Sequence, residues 1–186
     1  PVAVPHLHGR ALTLKRYPNG VQAPYFYEKQ SPSHRPEWVQ TVRVGGVDYT
    51  LCQDRPTLVW LANLADIELH TSLSLAADSD RPAMLVFDLD PGPPAGIVEC
   101  CAVALVLRGM FAALGLESVV KTSGSKGMQM YVPLNTDVTY AQTKPFARQV
   151  AELLEQRLPE RVVSRMTKRL RGGKVLVDWS QNDNHK

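Results

Sequence analysis

The sequence predicts an α+β fold: a mixed β-sheet of the split-βαβ kind seen in RRM-like modules, flanked by helices. Three observations predict it. An apolar strand at residues 83–90 runs into an apolar helix at 97–114. Strands at 117–122 and 128–134 bracket a tight loop, Ser123-Gly124-Ser125-Lys126-Gly127. A second helix, reaching residue 158, is followed by strands at 162–165 and 174–180. A Rossmann fold is excluded, because no glycine fingerprint separates a strand from its helix.

The elements follow in order. The first forty residues are rich in Pro, His and aromatics, with little periodicity. Residues 41–44 and 47–51 alternate around Gly45-Gly46, a two-residue hairpin. Asp54 caps a helix that runs to Asn63 with Pro56 in its first turn. A short strand is expected at 67–70 and a turn at 79–82. Gly115 stops the first long helix. Thr139 with Gln142 forms a capping box for the second, and Pro159 ends it. These elements make one domain over 1–186, with an N-terminal lobe at 1–80 and an RRM-like catalytic lobe at 81–186.

At 186 residues the chain is long enough to bury a sizeable core. No apolar run reaches membrane-spanning length and no signal peptide is visible. The three cysteines, Cys52, Cys100 and Cys101, are an odd number without metal-type spacing, so reduced thiols in a cytoplasm are expected. Net charge is only +3, but Arg165, Lys168, Arg169, Arg171 and Lys174 cluster. Such a cluster is a solvated face or a polyanion site.

The chemistry starts from Asp88 and Asp90, which close the apolar strand one residue apart and so point to one face. Two close carboxylates repel, and a divalent cation is the usual remedy. Asp178, in Val175-Leu176-Val177-Asp178-Trp179-Ser180, is a third candidate if its strand lies beside the first. Three hard oxygen ligands suit Mg²⁺ or Mn²⁺ rather than zinc. A strand-end Asp can equally cap a turn. The Ser123–Gly127 loop offers backbone N–H groups, hydroxyls and Lys126 to a phosphate, or is a plain hairpin turn. It is not a Walker A loop, since a strand follows it. His70, after Glu68, is structural or a phosphate donor. Lys15-Arg16-Tyr17 and Tyr25-Phe26-Tyr27-Glu28-Lys29 interleave cations with rings, which suits bases and phosphates, or packs aromatics onto the core. Together these elements describe nucleotidyl transfer by two-metal catalysis.

Phe87-Asp88-Leu89-Asp90-Pro91-Gly92, Thr122-Ser123-Gly124-Ser125-Lys126-Gly127 and Val177-Asp178-Trp179-Ser180-Gln181-Asn182 resemble, in order, the three motifs of the archaeo-eukaryotic primase superfamily. The match is close to the polymerase domain of bacterial DNA ligase D and its stand-alone relatives. The resemblance implies a primase-polymerase that adds NTP or dNTP to a DNA primer 3′-OH, for gap filling and end processing in non-homologous end joining. It implies two Mn²⁺ (or Mg²⁺) ions on Asp88, Asp90 and Asp178, which are both catalytic and metal-binding. His70, Ser123, Lys126, Gln129, Arg171 and Gln181 match nucleotide-binding positions. Lys15, Arg16, Phe26, Tyr27 and Lys29 match the DNA-facing side. Implied partners are DNA ends or gaps, Ku and a DNA ligase, in the bacterial cytoplasm at the nucleoid.

Two departures stand out. The family's second motif usually ends in His where this chain has Gln129. Gln donates a hydrogen bond but cannot act as a general acid. The family also continues at both ends, so truncation at both termini is expected, with loss of a segment that binds a 5′-phosphate. The alternative reading is a catalytically weakened DNA-end binding module; a metal-dependent nuclease is disfavoured by the Lys126 loop.

Overall fold

The computed structural model describes residues 2–184. The chain divides into two compact units, one up to Ser79 and one over Asp80–Asn184. The first unit contains α1 (Val4–Leu7), β1 (Ala11–Arg16), β2 (Phe26–Glu28), β3 (Thr41–Val44), β4 (Val47–Leu51), α2 (Arg55–Asn63) and β5 (Asp66–Thr71). β6 (Ser74–Leu75) and β7 (Asp78–Pro82) follow as a hairpin. The second unit continues with β8 (Met84–Pro91), α3 (Ile97–Ala113), β9 (Val119–Thr122), β10 (Met128–Pro133), α4 (Tyr140–Arg157), β11 (Val162–Val163), a 3₁₀ turn (Lys168–Leu170) and β12 (Val175–Asp178).

In the first unit β1 is the spine, pairing antiparallel with β2, β4 and β5. The predicted hairpin is present, and Gly45 and Gly46 both take positive φ, as a tight two-residue turn requires. Asp54 caps α2, its carboxylate accepting the Thr57 N–H at 2.8 Å. β1 and β2 were not expected: they are held by non-local pairing rather than by residue pattern, and β2 is only three residues long. The turn expected at 79–82 is a correction. Those residues lie in β7, and the chain reverses at Ala76-Ala77 instead. The polar Asp-Ser-Asp run reads locally as a turn, but pairing with β6 makes it extended.

The second unit has the predicted strand–helix order. Its sheet runs β11-β12-β8-β10-β9. Leu85, Phe87 and Leu89 of β8 pack with Val103, Leu107 and Phe111 of α3 and with Ala151 and Leu154 of α4. Met128, Met130 and Val132 of β10 and Val175 and Val177 of β12 join this core. Alternation along each strand therefore turns Asp88, Gln129 and Asp178 to the opposite face. The last strands are shorter than expected. Ser164 leaves the ladder because its N–H and hydroxyl both donate to Glu155 Oε2, at 2.9 and 2.5 Å. β12 stops at Asp178, where Ser180 N–H turns back onto Asp178 Oδ1 at 2.7 Å.

Asn182 does the work of an absent strand residue. Its Oδ1 accepts Val86 N–H at 3.0 Å, and its Nδ2 donates to Val86 O at 2.7 Å and Trp179 O at 2.8 Å. It is 1% exposed. Asn182→Ala leaves the Val86 amide and carbonyl unpaired in the interior, an expected loss of about 3 kcal/mol. Thermal denaturation should show a fall of roughly 6–12 °C.

Candidate active site

Strand register builds the centre of the site. Asp178 of β12 lies directly opposite Asp88 of β8, Gln129 of β10 lies opposite Asp88 on the other side, and Lys121 of β9 lies opposite Gln129. A single row, Lys121–Gln129–Asp88–Asp178, thus crosses four strands. Asp90 follows two residues along β8 on the same face.

The electrostatics of this row are unfavourable as they stand. Burial, with Asp90 and Asp178 nearby, pushes Asp88 from an ordinary 3.8 up to about 6, against the pull of Gln129 and Lys121. Burial also raises Asp90; Arg171 opposes that rise and Asp178 adds to it. Asp88 Oδ1 is buried and has no hydrogen-bond partner. An orphaned carboxylate oxygen beside two further carboxylates fits a hard divalent cation. The residues do not form a ready-made cage: among the described residues no three His, Cys, Asp or Glu side chains are drawn together as a metal site. One Asp178 oxygen is engaged by Ser180, as a turn cap is.

Two close backbone approaches bring the other elements to the row. A Cβ at Gly127 would lie 2.0 Å from Leu89 O, so only glycine lets the 123–127 loop rest against β8. Ser123 closes that loop, its N–H donating to Gly127 O at 3.0 Å and its hydroxyl at 3.1 Å. Gly124 takes φ +84° at the bend, and Lys126 is exposed. At the end of β8, a Cβ on Gly92 would lie 1.9 Å from Arg171 O. This contact seats the turn carrying Arg171, whose guanidinium donates to Met166 O at 2.8 Å and whose charge acts on Asp90. Gln181 is half-buried in the turn after β12. The second unit therefore gathers Asp88, Asp90, Asp178, Gln129 and Arg171, with the Ser123–Lys126 loop held against β8.

The first unit carries His70, Lys15, Arg16, Phe26, Tyr27 and Lys29. Phe26, Tyr27, Lys29 and His70 are exposed. Lys15 is enclosed: its Nζ bonds Glu68 Oε1 at 2.7 Å and lies 5.2, 4.1 and 5.9 Å from the ring centres of Tyr17, Tyr25 and Tyr27. The bond to Glu68 holds its ammonium well above the usual range. Tyr17 OH also donates to Glu68, and His70 Nε2 lies 3.3 Å from Glu68 Oε2. Burial pushes Glu68 up, but the bonds from Lys15 and Tyr17 outweigh it and hold the carboxyl low. Arg16 is shared between Glu28, at 3.2 Å, and the buried Asp66, at 3.7 Å, with its guanidinium over the Phe26 ring.

The sequence of the LigD primase-polymerase domain family matches this chain over residues 1–186. The chain belongs to the LigD primase-polymerase family. The multifunctional non-homologous end joining protein LigD of Mycolicibacterium smegmatis is 42% identical over 98% of the chain, and that of Mycobacterium tuberculosis 39% identical over 100%. The bifunctional LigD of Bacillus subtilis is 33% identical over 96% of the chain. The chain spans 25%, 26% and 29% of these three relatives, so it corresponds to one part of each. The polymerase domain of M. tuberculosis ligase D, solved in complex with DNA, superposes with a TM-score of 0.92 at 38% identity. That match covers 100% of this chain and 69% of the solved one. The α+β, primase-like fold expected from the motifs is therefore the LigD polymerase fold.

Sequence reasoning missed Lys121, Tyr131, Asn182 and Glu68 in this LigD domain. Lys121 reaches the row only through strand pairing, whereas Tyr131 stands two residues from Gln129 on one face of β10. Glu68 stood two residues from His70 on one strand face, which was the available signal for it.

Proposed function

We propose that this LigD primase-polymerase domain adds NTP or dNTP to a DNA primer 3′-OH, in gap filling and end processing during non-homologous end joining. The observation that carries the reading is the buried, unpartnered Asp88 Oδ1 with Asp178 set opposite it and Asp90 beside it. Asp88, Asp90 and Asp178 would hold two Mn²⁺ or Mg²⁺ ions. When bound, such ions lower the pKa of the attacking hydroxyl and offset charge on the phosphates. Nucleotidyl transfer joins the primer 3′-oxygen to the α-phosphorus and releases pyrophosphate. Ser123, Lys126 and Arg171 would hold the triphosphate, where the positive charge of Lys126 and Arg171 is worth most as pyrophosphate separates. Gln129 donates a hydrogen bond without titrating, so it orients groups but transfers no proton. Gln181 would join these contacts, and His70 of the first unit is a further proposed nucleotide-binding residue. Phe26 and Tyr27 offer stacking planes to the DNA, with Lys29 as a cation beside them and Arg16 set against the Phe26 ring. DNA, Ku and a DNA ligase are the proposed partners, at the bacterial nucleoid.

The test is primer extension on a gapped, 5′-phosphorylated duplex, comparing Mn²⁺ with Mg²⁺ and NTP with dNTP, for the wild type and Gln129→His. Incorporation with either ion supports the reading, and a gain in Gln129→His would show what the missing imidazole costs. Gel-shift binding with no incorporation by the wild type, and incorporation restored in Gln129→His, would instead establish a DNA-end binding module weakened at Gln129. Loss of terminal nucleotides without added NTP would mark a nuclease.

Lys15 gives a separate expectation. Because its ammonium is already held by Glu68 and three tyrosines, Lys15→Met should weaken DNA binding without changing the salt dependence. A direct phosphate contact would lower the slope of log K against log salt by about 1. Titrations at several salt concentrations distinguish the two.

A further inference from the structure

Gln129 stands where the family usually has His, and an amide raises a problem that an imidazole does not. Its two ends are a donor and an acceptor of nearly equal size. If the carbonyl end faced Asp88, two electronegative oxygens would meet in a site already crowded with carboxylates. The side chain must therefore be held one way round.

The neighbouring residue on the same strand face supplies the hold. Tyr131 lies two residues along β10, on the face that carries Gln129. Its hydroxyl donates to Gln129 Oε1 at 2.7 Å. With Oε1 engaged, the NH₂ group is the end left to face Asp88, the residue directly opposite on β8, and Gln129 opposes the rise of that carboxyl. Lys121, opposite Gln129 on β9, places its Nζ 5.8 Å from the Tyr131 ring centre. Its positive charge also acts on Asp88. The cation steadies the ring that steadies the amide. One Asp88 oxygen remains without a partner and is the one available to an ion.

We propose that Tyr131 is a positioning residue for the metal site: it fixes the Gln129 amide so that its NH₂ orients the Asp88 carboxylate. This rests on the proposed metal-binding role of Asp88. Groups that orient a ligand from behind are worth about 10–100-fold in metal affinity. Tyr131→Phe removes only the hydroxyl and leaves the ring under Lys121. Gln129→Leu removes the amide that the hydroxyl holds.

The experiment is Mn²⁺ binding to the protein without nucleotide, read from the free-ion signal in electron paramagnetic resonance. Wild type, Tyr131→Phe, Gln129→Leu, the double variant and Asp88→Asn are compared. Tyr131→Phe is expected to weaken Mn²⁺ about tenfold. The double variant is expected to bind as Gln129→Leu does, since the hydroxyl acts only through the amide. Wild-type affinity in Tyr131→Phe overturns the proposal, and so does an additive loss in the double variant. Binding by Asp88→Asn equal to wild type, or no binding by wild type, overturns the metal reading itself and this inference with it.

Discussion

Asp88→Asn will abolish metal-dependent primer extension and, at the same time, stabilise the ion-free protein at neutral pH. Both outcomes come from one carboxylate. Asp88 is pushed from 3.8 to about 6, mainly by burial and then by Asp90 and Asp178. A folded-state pKa above the unfolded one means that the native protein binds the extra proton between these values. Stability therefore falls as pH rises from about 4 to about 6, and the full penalty is present above that. The shift corresponds to about 3 kcal/mol, an upper figure for the gain from the uncharged amide. Denaturant unfolding at pH 4 and pH 7 checks it: the variant should exceed wild type at pH 7 and match it at pH 4. Added Mn²⁺ should raise wild-type stability and leave Asp88→Asn unmoved. A variant that retains extension, or that is less stable at pH 7, would refute this account of the site.

Gly127→Ala should be nearly as damaging, through the backbone alone. A methyl group there would lie 2.0 Å from Leu89 O and 3.2 Å from Pro91 Cδ. Leu89 sits between Asp88 and Asp90 in β8, and its carbonyl cannot withdraw without moving them. The loop must move instead, taking Ser123 and Lys126 with it. The expected cost is about 3 kcal/mol in stability. A displacement of this size at a reacting centre lowers turnover about 100-fold. Extension kinetics across nucleotide concentrations would show the loss, and Gly124→Ala is the comparison. A Cβ at Gly124 meets nothing within 4 Å, although its φ of +84° still carries some strain. Equal activity in Gly127→Ala and wild type would show that the loop does not act from its packed position.

Much of the second unit was legible because its signals are local. The apolar run ending at Asp88 and Asp90, the Thr139/Gln142 box and Gly115 each act within one or two turns of chain. The hairpin over Gly45-Gly46 and the Asp54 cap were readable for the same reason. β1 was not, although it is the spine of its sheet: Leu12 and Leu14 are buried by strands distant in sequence. β7 was misread because Asp-Ser-Asp has turn chemistry, and only its pairing with β6 overrides that.

The sequence by itself determined the family, the order of strands and helices in the second unit, and the three aspartates. Each of these is written in residue type and short spacing. Tertiary structure decided how those residues meet. It set Asp178 opposite Asp88 and drew Lys121 into the same row. It placed Tyr131 on Gln129 and enclosed Lys15 among tyrosines. It gave Asn182 the hydrogen bonds of Val86. For the row of Asp178, Asp88, Gln129 and Lys121 the physical reason is register: sheet pairing couples residues far apart in the chain, and a shift of one position would turn a strand's side chains to the other face.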